Sequence, residues 1–160
     1  MRRILVTGMS GTGKSSALAE LARRDFRTVD TDELDWTVED DDGGHWWDED
    51  RIAELLAEEG PTLYLSGTVS NQGRFYDRFD AVVLLSAPAD VLIERLSGRT
   101  TNDYGKSLEE RELILEHVRE VEPLLRPTCT HEIDATLPPA DVVERLLEIG
   151  NEAQPFGVQP

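Results

Sequence analysis

Gly8-Met9-Ser10-Gly11-Thr12-Gly13-Lys14-Ser15 follows the apolar run Ile4-Leu5-Val6 and precedes Ser16-Ala17-Leu18-Ala19-Glu20-Leu21-Ala22, a run of helix formers. The spacing G-x-x-x-x-G-K-S between a strand and a helix is a Walker A pattern in the context that gives it meaning. Each residue type has a chemical reason. Small residues let the main chain wrap a phosphate, while successive N–H groups and the helix N-terminus present partial positive charge. Lys14 is long enough to reach β- and γ-phosphates, and the Ser15 hydroxyl is a Mg²⁺ ligand type. Gly8, Met9, Ser10, Gly11, Thr12, Gly13, Lys14, Ser15 and Ser16 therefore form the candidate binding set for a nucleoside triphosphate with Mg²⁺.

Outward from this loop, short apolar runs alternate with helical patterns. Strands are expected over residues 3–7, 26–29, 62–65, 81–85 and 131–134, the fourth (Ala81-Val82-Val83-Leu84-Leu85) being the clearest buried run. Helices are expected from the loop to about Arg24, over 48–59, from Pro88 to about Leu96, from Ser107 to near Pro123, and from Pro138-Pro139 onward. Ser107-Leu108-Glu109-Glu110 reads as a capping box, opening a helix with Leu113, Ile114, Val118 and Val121 on one face. Residues 69–80 read as a polar segment, and 151–160 as a frayed tail. The alternation implies an α/β fold with a parallel sheet, whose ligands bind at the carboxyl ends of the strands. The groups of interest then lie just after each strand: the glycine-rich loop, Asp30 and Asp32, Ser66-Gly67-Thr68, and the segment after Asp134.

Composition narrows the partners. The 160 residues suit one domain, and the net charge is −17, from 16 basic and 33 acidic side chains. So acidic a surface repels nucleic acid and anionic membrane, and neither is expected as a partner. No run approaches the roughly 20 apolar residues of a membrane span. Met1-Arg2-Arg3 leaves no room for a cleaved signal before the first strand, and a single cysteine, Cys129, excludes an internal disulfide. A soluble cytoplasmic protein, monomeric or a weak homodimer, is the expectation.

The layout resembles the small P-loop kinases related to shikimate kinase and the nucleoside monophosphate kinases, over nearly the whole chain to about Ile149. The resemblance rests on the Walker loop, the Asp30-x-Asp32 pair, and Arg99-Thr100-Thr101-Asn102-Asp103-Tyr104-Gly105-Lys106 in the place of a lid. It implies a three-layer fold with a five-stranded parallel sheet in the order 2-3-1-4-5, helices on both faces and a small lid at about 97–107. Residues 1–150 would form the kinase-like domain, with an acceptor insert at about 31–60. It implies ATP as donor, with Lys14 and Lys106 as cations on the phosphates and Arg99 stacked on adenine. The backbone of 134–138, Thr136 included, would form the other side of the adenine slot, and Arg95 or Arg126 could add a cation. Asp30 would serve the metal, with Ser15, and Asp32 would orient or deprotonate the acceptor hydroxyl. Against this, Asp30 and Asp32 could merely cap a turn, and Arg99 and Lys106 could be solvated surface charges.

The acceptor end departs from the family pattern. Shikimate kinases carry a glycine triplet after the third strand, where Ser66-Gly67-Thr68 stands here. Val121 falls about where a substrate arginine is expected, and Ser66 occupies the Walker B aspartate position. Residues 30–50 contain eleven carboxylates and no lysine or arginine. That charge opposes an anionic acceptor. Trp46 and Trp47 form either a wall of the acceptor pocket or an apolar lid over the following helix. His117 and His131 carry no constellation. The leading expectation is an ATP-dependent kinase acting on a small-molecule hydroxyl acceptor that is neutral or cationic, such as a sugar, amino sugar or nucleoside. Two alternatives remain: a monophosphate kinase using Arg51, Arg74 and Arg78, and a nucleotide-binding ATPase or switch without an acceptor.

Overall fold

In the computed structural model residues 1–33, 35–98 and 107–152 are described. In chain order the elements are β1 (Arg3–Thr7), α1 (Lys14–Arg23), β2 (Arg27–Asp30), β3 (Thr37–Glu39), β4 (His45–Trp47) and α2 (Glu49–Ala57). There follow β5 (Leu63–Ser66), a 3-10 helix (Gln72–Arg78), β6 (Ala81–Ser86), α3 (Ala89–Gly98) and α4 (Leu108–Glu120). The short α5 (Glu122–Leu125), a 3-10 turn (Arg126–Thr128), β7 (His131–Asp134) and α6 (Pro139–Glu152) complete it.

Five strands pair in parallel in the order β2-β5-β1-β6-β7. Counted among themselves these strands run 2-3-1-4-5, as expected. The hydrophobic effect explains why β1 is central: Ile4, Leu5 and Val6 are all fully buried, which only a strand covered on both faces permits. Strand alternation sends Ile4 and Val6 into a core shared with Leu18 and Leu21 of α1 and Val143 and Leu146 of α6. Leu5 points the other way, onto Ile52, Leu55 and Leu56 of α2, with Trp47 and Phe75. The two layers of helix thus clamp the sheet, and its carboxyl edge is left open for a ligand.

The insert holds structure that its polar composition concealed. β3 and β4 form an antiparallel hairpin, with Val38 opposite Trp46 and Thr37 opposite Trp47. Asp40 closes its turn by accepting from the amides of Asp42 and Gly44, and Trp46 Nε1 donates to its Oδ2 at 3.0 Å. Two-residue alternation separates the adjacent tryptophans. Trp47 is 1% exposed and meets Phe75 edge to face, whereas Trp46 lies half-buried under the Arg74 guanidinium. The open alternative is thereby divided: Trp47 is core packing, and Trp46 is surface. Buried Asn71 holds the hairpin to the body, accepting from Trp47 N–H and donating to its carbonyl oxygen, as a neighbouring strand would.

Several boundaries shift for local reasons. Asp48 is the N-cap of α2, accepting from Arg51 N–H, so the helix begins at Glu49. The polar segment 69–80 contains a 3-10 helix that buries Phe75. The Ser107–Glu110 capping box forms as expected, but α4 stops at Glu120 and a separate turn, α5, carries Pro123. On α4 only Ile114 is fully buried, and Leu113, expected inward, is 40% exposed. α6 continues through Glu152, two residues beyond the expected end of the domain. The remaining tail, 153–160, lies outside the described residues.

The division of the tryptophans has a measurable consequence. Trp47→Ala empties a buried site and is expected to cost about 3–5 kcal/mol in urea unfolding. Trp46→Ala removes a half-exposed ring and is expected to cost about 1 kcal/mol or less.

Candidate nucleotide and acceptor site

The glycine-rich loop joins β1 to α1 at the carboxyl edge of the sheet. A β-carbon on Gly8 would lie 2.4 Å from the Leu85 carbonyl oxygen, so no side chain fits there. The first helical bond of α1 runs from Ala17 N–H to Gly13 O at 2.9 Å, which leaves the preceding amides without intrahelical acceptors. They are the anion-attracting end of the helix. Lys14 is buried and folded back, its ammonium donating to Gly8 O at 2.7 Å and Met9 O at 3.2 Å.

A cleft of about 500 Å³ opens over this loop. Residues 10–17 form its floor, Asp32 one end, and Arg95, Leu96, Ala135, Leu137, Pro139 and Val142 the far wall. Arg95 ties that wall together by donating to Ala135 O at 2.6 Å and Gly11 O at 3.4 Å. Arg126 stands apart, bound to Glu122 and Glu132. Thr136 is exposed, and its amide and hydroxyl both donate to Asp134; the wall passes through Ala135 and Leu137 instead. Arg99 and Lys106 lie outside the described residues.

The carboxylate pair sits at and just beyond the end of β2. Asp30 accepts from Ser15 Oγ at 2.5 Å and from Ser66 Oγ at 3.1 Å. Ser66 is its register partner on β5, so the serine in the Walker B position orients an aspartate carried by the neighbouring strand. The amide of Asp32 also donates to Asp30, at 3.1 Å. Gly67 allows Trp47 and Thr31 to approach: a β-carbon there would meet Thr31 Oγ1 at 2.2 Å.

A family model described as an AAA domain matches residues 4–116. Shikimate kinase 2 of Yersinia enterocolitica is 30% identical over 163 residues, spanning 91% of this chain and 94% of that protein. This chain belongs to the small P-loop kinases of the shikimate kinase and nucleoside monophosphate kinase-like group. As a member it is an ATP-dependent kinase. Two solved structures share its fold. A shikimate kinase from Acinetobacter baumannii, in complex with shikimate, aligns with a TM-score of 0.67 at 17% identity over 96% of both chains. A gluconokinase from Sinorhizobium meliloti 1021 aligns at 0.61 with 23% identity, over 94% of this chain and 91% of its own.

Electrostatics in the kinase converge on Lys14 and Asp32. Burial lowers the Lys14 pKa, opposed by the negative charges of Asp32 and Asp30. Asp32 is exposed at the cleft mouth, yet desolvation of its carboxyl raises its pKa, opposed by Lys14 and reinforced by Asp30. The positive field of His45 on β4 lowers it slightly. The arginines that an anionic acceptor would need are otherwise engaged. Arg51 covers the Trp36 ring and donates to Asp35 O, Arg74 pairs with Glu49 over Trp46, and Arg78 donates to Ala53 O. Among the described residues only Lys14 and Arg95 bring positive charge to the cleft lining. His117 and His131 are exposed and away from the cleft lining.

Thr68, placed by the sequence among the groups of interest but given no role there, bonds both main-chain groups of Gly8 through its hydroxyl. Its place just after a strand of the sheet was the available signal.

Because the folded state raises the Asp32 pKa, it binds that proton more tightly than the unfolded chain does. The ionised carboxyl therefore destabilises the fold above its folded pKa, and the penalty disappears as pH falls below its unfolded value near about 4. Asp32→Asn is expected to raise the thermal midpoint at pH 7, with the gain shrinking toward pH 4. A lower midpoint at pH 7 would mark Asp32 as a structural cap instead.

Proposed function

We propose that this kinase transfers the γ-phosphoryl group of ATP to a hydroxyl of a neutral or cationic small molecule, a sugar, amino sugar or nucleoside. The observation that carries the reading is the Asp32 carboxylate at the cleft mouth, facing the field of Lys14, with Arg51, Arg74 and Arg78 all engaged elsewhere. The insert's high acidity is a weaker support than its count suggests. Asp40 closes the hairpin, Asp48 caps α2 and Glu49 pairs with Arg74, and of the eleven carboxylates only Asp32 lines the cleft, with Asp30 held on Ser15 beside it.

In this reading the acceptor oxygen attacks the γ-phosphorus as the bond to the β,γ-bridging oxygen breaks, and ADP leaves. Asp32 holds the hydroxyl by hydrogen bonding and takes its proton; a carboxylate with a raised pKa is the better base. The triphosphate occupies the loop from Gly8 to Ser16, with Lys14 turning from Gly8 O and Met9 O to the phosphate oxygens. Mg²⁺ fits the chemistry of the paired Ser15 hydroxyl and Asp30 carboxylate, since this ion uses one or two protein oxygens beside water and phosphate. When bound it would neutralise charge between the β- and γ-phosphates. Adenine would lie against Leu137 and Pro139, with Thr136 at the edge of the slot; Arg99 and Lys106 keep the adenine and phosphate roles that the family resemblance implies. Residues 1–150 are the catalytic domain in this reading, with 31–60 on the acceptor side.

A cytoplasmic enzyme, monomeric or weakly dimeric and without nucleic-acid or membrane partners, accords with this chemistry. Cys129 is half-buried, its thiol pushed up to about 11 by desolvation, and no described helix is long and apolar enough to cross a membrane.

The test is ADP release across panels of neutral, cationic and anionic hydroxyl compounds. Stimulation by a sugar, amino sugar or nucleoside is expected. Clear turnover of shikimate or a nucleoside monophosphate would refute the acceptor class, and ADP release unmoved by any acceptor would favour an ATPase. With the stimulating acceptor, Asp32→Asn is expected to lower kcat about 10²–10⁴-fold, the usual contribution of a general base, while leaving ATP affinity nearly intact. Equal losses in both would remove Asp32 from the acceptor side. Through the same carboxylate, kcat/KM should fall on the acid side at a pH above the ordinary aspartate value.

A further inference from the structure

We propose that Thr68 is a positioning residue that keeps the buried Gly8 carbonyl of the phosphate loop bonded when Lys14 leaves it for the nucleotide. The inference rests on ATP binding at the glycine-rich loop and goes beyond the assignment of the acceptor. Lys14 holds two main-chain oxygens, Gly8 O at 2.7 Å and Met9 O at 3.2 Å. Each already has a second donor in a threonine hydroxyl, and Met9 O has a third in the Thr12 N–H at 3.3 Å, so only Gly8 O depends on a single hydroxyl once the ammonium leaves. Thr68 Oγ1 donates to Gly8 O at 2.7 Å, and Thr12 Oγ1 donates to Met9 O at 2.8 Å. Gly8, Met9 and Thr12 are all buried, so water cannot readily take the place of the departing ammonium.

Neighbouring groups fix the direction of the Thr68 proton. The Gln72 amide is oriented because its Oε1 accepts from Val69 N–H at 3.0 Å, which turns Nε2 toward Thr7 Oγ1 at 3.2 Å. Thr7 Oγ1 lies 3.1 Å from Thr68 Oγ1, and either oxygen could donate. Since the single Thr68 proton serves Gly8 O, Thr7 is the donor of that pair. Thr68 Oγ1 also accepts from Gly8 N–H at 3.1 Å, which fills its second lone pair. The hydroxyl is thereby held on the carbonyl in the resting protein, before any ligand arrives. Thr68 belongs to the turn after β5, beside Gly67 and the acceptor insert, so this bond also ties the donor loop to the acceptor side.

A ligand that draws Lys14 forward should therefore bind more weakly when the hydroxyl is missing, because Gly8 O would be left buried and unpaired. The cost of such a group corresponds to about tenfold in affinity. Calorimetric titration of the Thr68→Val and Thr68→Ser variants with a non-hydrolysable ATP analogue and Mg²⁺, and separately with AMP, tests this. AMP lacks the β- and γ-phosphates that recruit Lys14. Thr68→Val is expected to bind the analogue about tenfold more weakly and AMP within about twofold of the parent, while Thr68→Ser restores both. Unchanged analogue affinity in Thr68→Val, an equal loss for AMP, or a serine variant as weak as the valine variant would overturn the proposal. Thermal unfolding of the ligand-free variants establishes that each is folded. Should Thr68→Val fail to fold, Thr68→Ala, which also strips the hydroxyl from Gly8 O, carries the same expectation and the same refuting outcomes.

Discussion

Gly8 is pressed against the main chain of β6, where a β-carbon would lie 2.4 Å from Leu85 O. Much of the site follows from that contact. It holds the start of the phosphate loop at the carboxyl edge of the sheet, beside the ends of β5 and β6. Gly8 then presents a carbonyl to Lys14 and to Thr68, and the loop climbs to Gly13 and the open amides of α1. A larger residue would lift the loop away from the sheet, separating Lys14 from the carboxylates of β2 and its turn. The nucleotide end of the kinase is thus built on a close approach of two backbones, which burial of Ile4, Leu5 and Val6 makes rigid.

At the acceptor end the chain solves a different problem. Eleven carboxylates in residues 30–50 would repel one another if gathered in one pocket. The fold puts Asp40 in a hairpin turn, Asp48 in a helix cap and Glu49 in an ion pair, and leaves Asp32 at the cleft with Asp30 held by Ser15 and Ser66 beside it. Trp47, Thr31 and Asn71 anchor the hairpin, so these two carboxylates rest on a supported turn. The raised pKa of Asp32 is the electrostatic record of that placement, since an ionised carboxyl there is partly desolvated. Desolvation of this kind lowers stability, and it would suit the base proposed for the acceptor hydroxyl.

Where sequence reasoning succeeded, a local pattern carried the information. The capping box at Ser107 follows from short-range hydrogen bonding, and the strand order from family resemblance. It stumbled where partners are distant in sequence. The hairpin went unseen because strands of three residues, Thr37-Val38-Glu39 and His45-Trp46-Trp47, leave almost no alternation to read. Leu113 looked inward on helical spacing alone, but α4 covers the body only along a narrow line through Ile114. Ser66 read as an empty Walker B position, whereas across the sheet it is the residue that holds Asp30.

From the sequence alone came the glycine-rich loop between strand and helix and the parallel α/β sheet. These rest on contiguous residues whose spacing maps directly onto one turn of backbone or one face of an element. Only the tertiary structure decided which tryptophan is core, that Arg51, Arg74 and Arg78 are engaged, that Asp30 is shared by Ser15 and Ser66, and that Thr68 guards Gly8 O. Those facts depend on which side chains meet when β2, β5 and β1 come side by side. A hydrogen bond spanning 15 to 60 residues leaves no local trace in the composition of either partner.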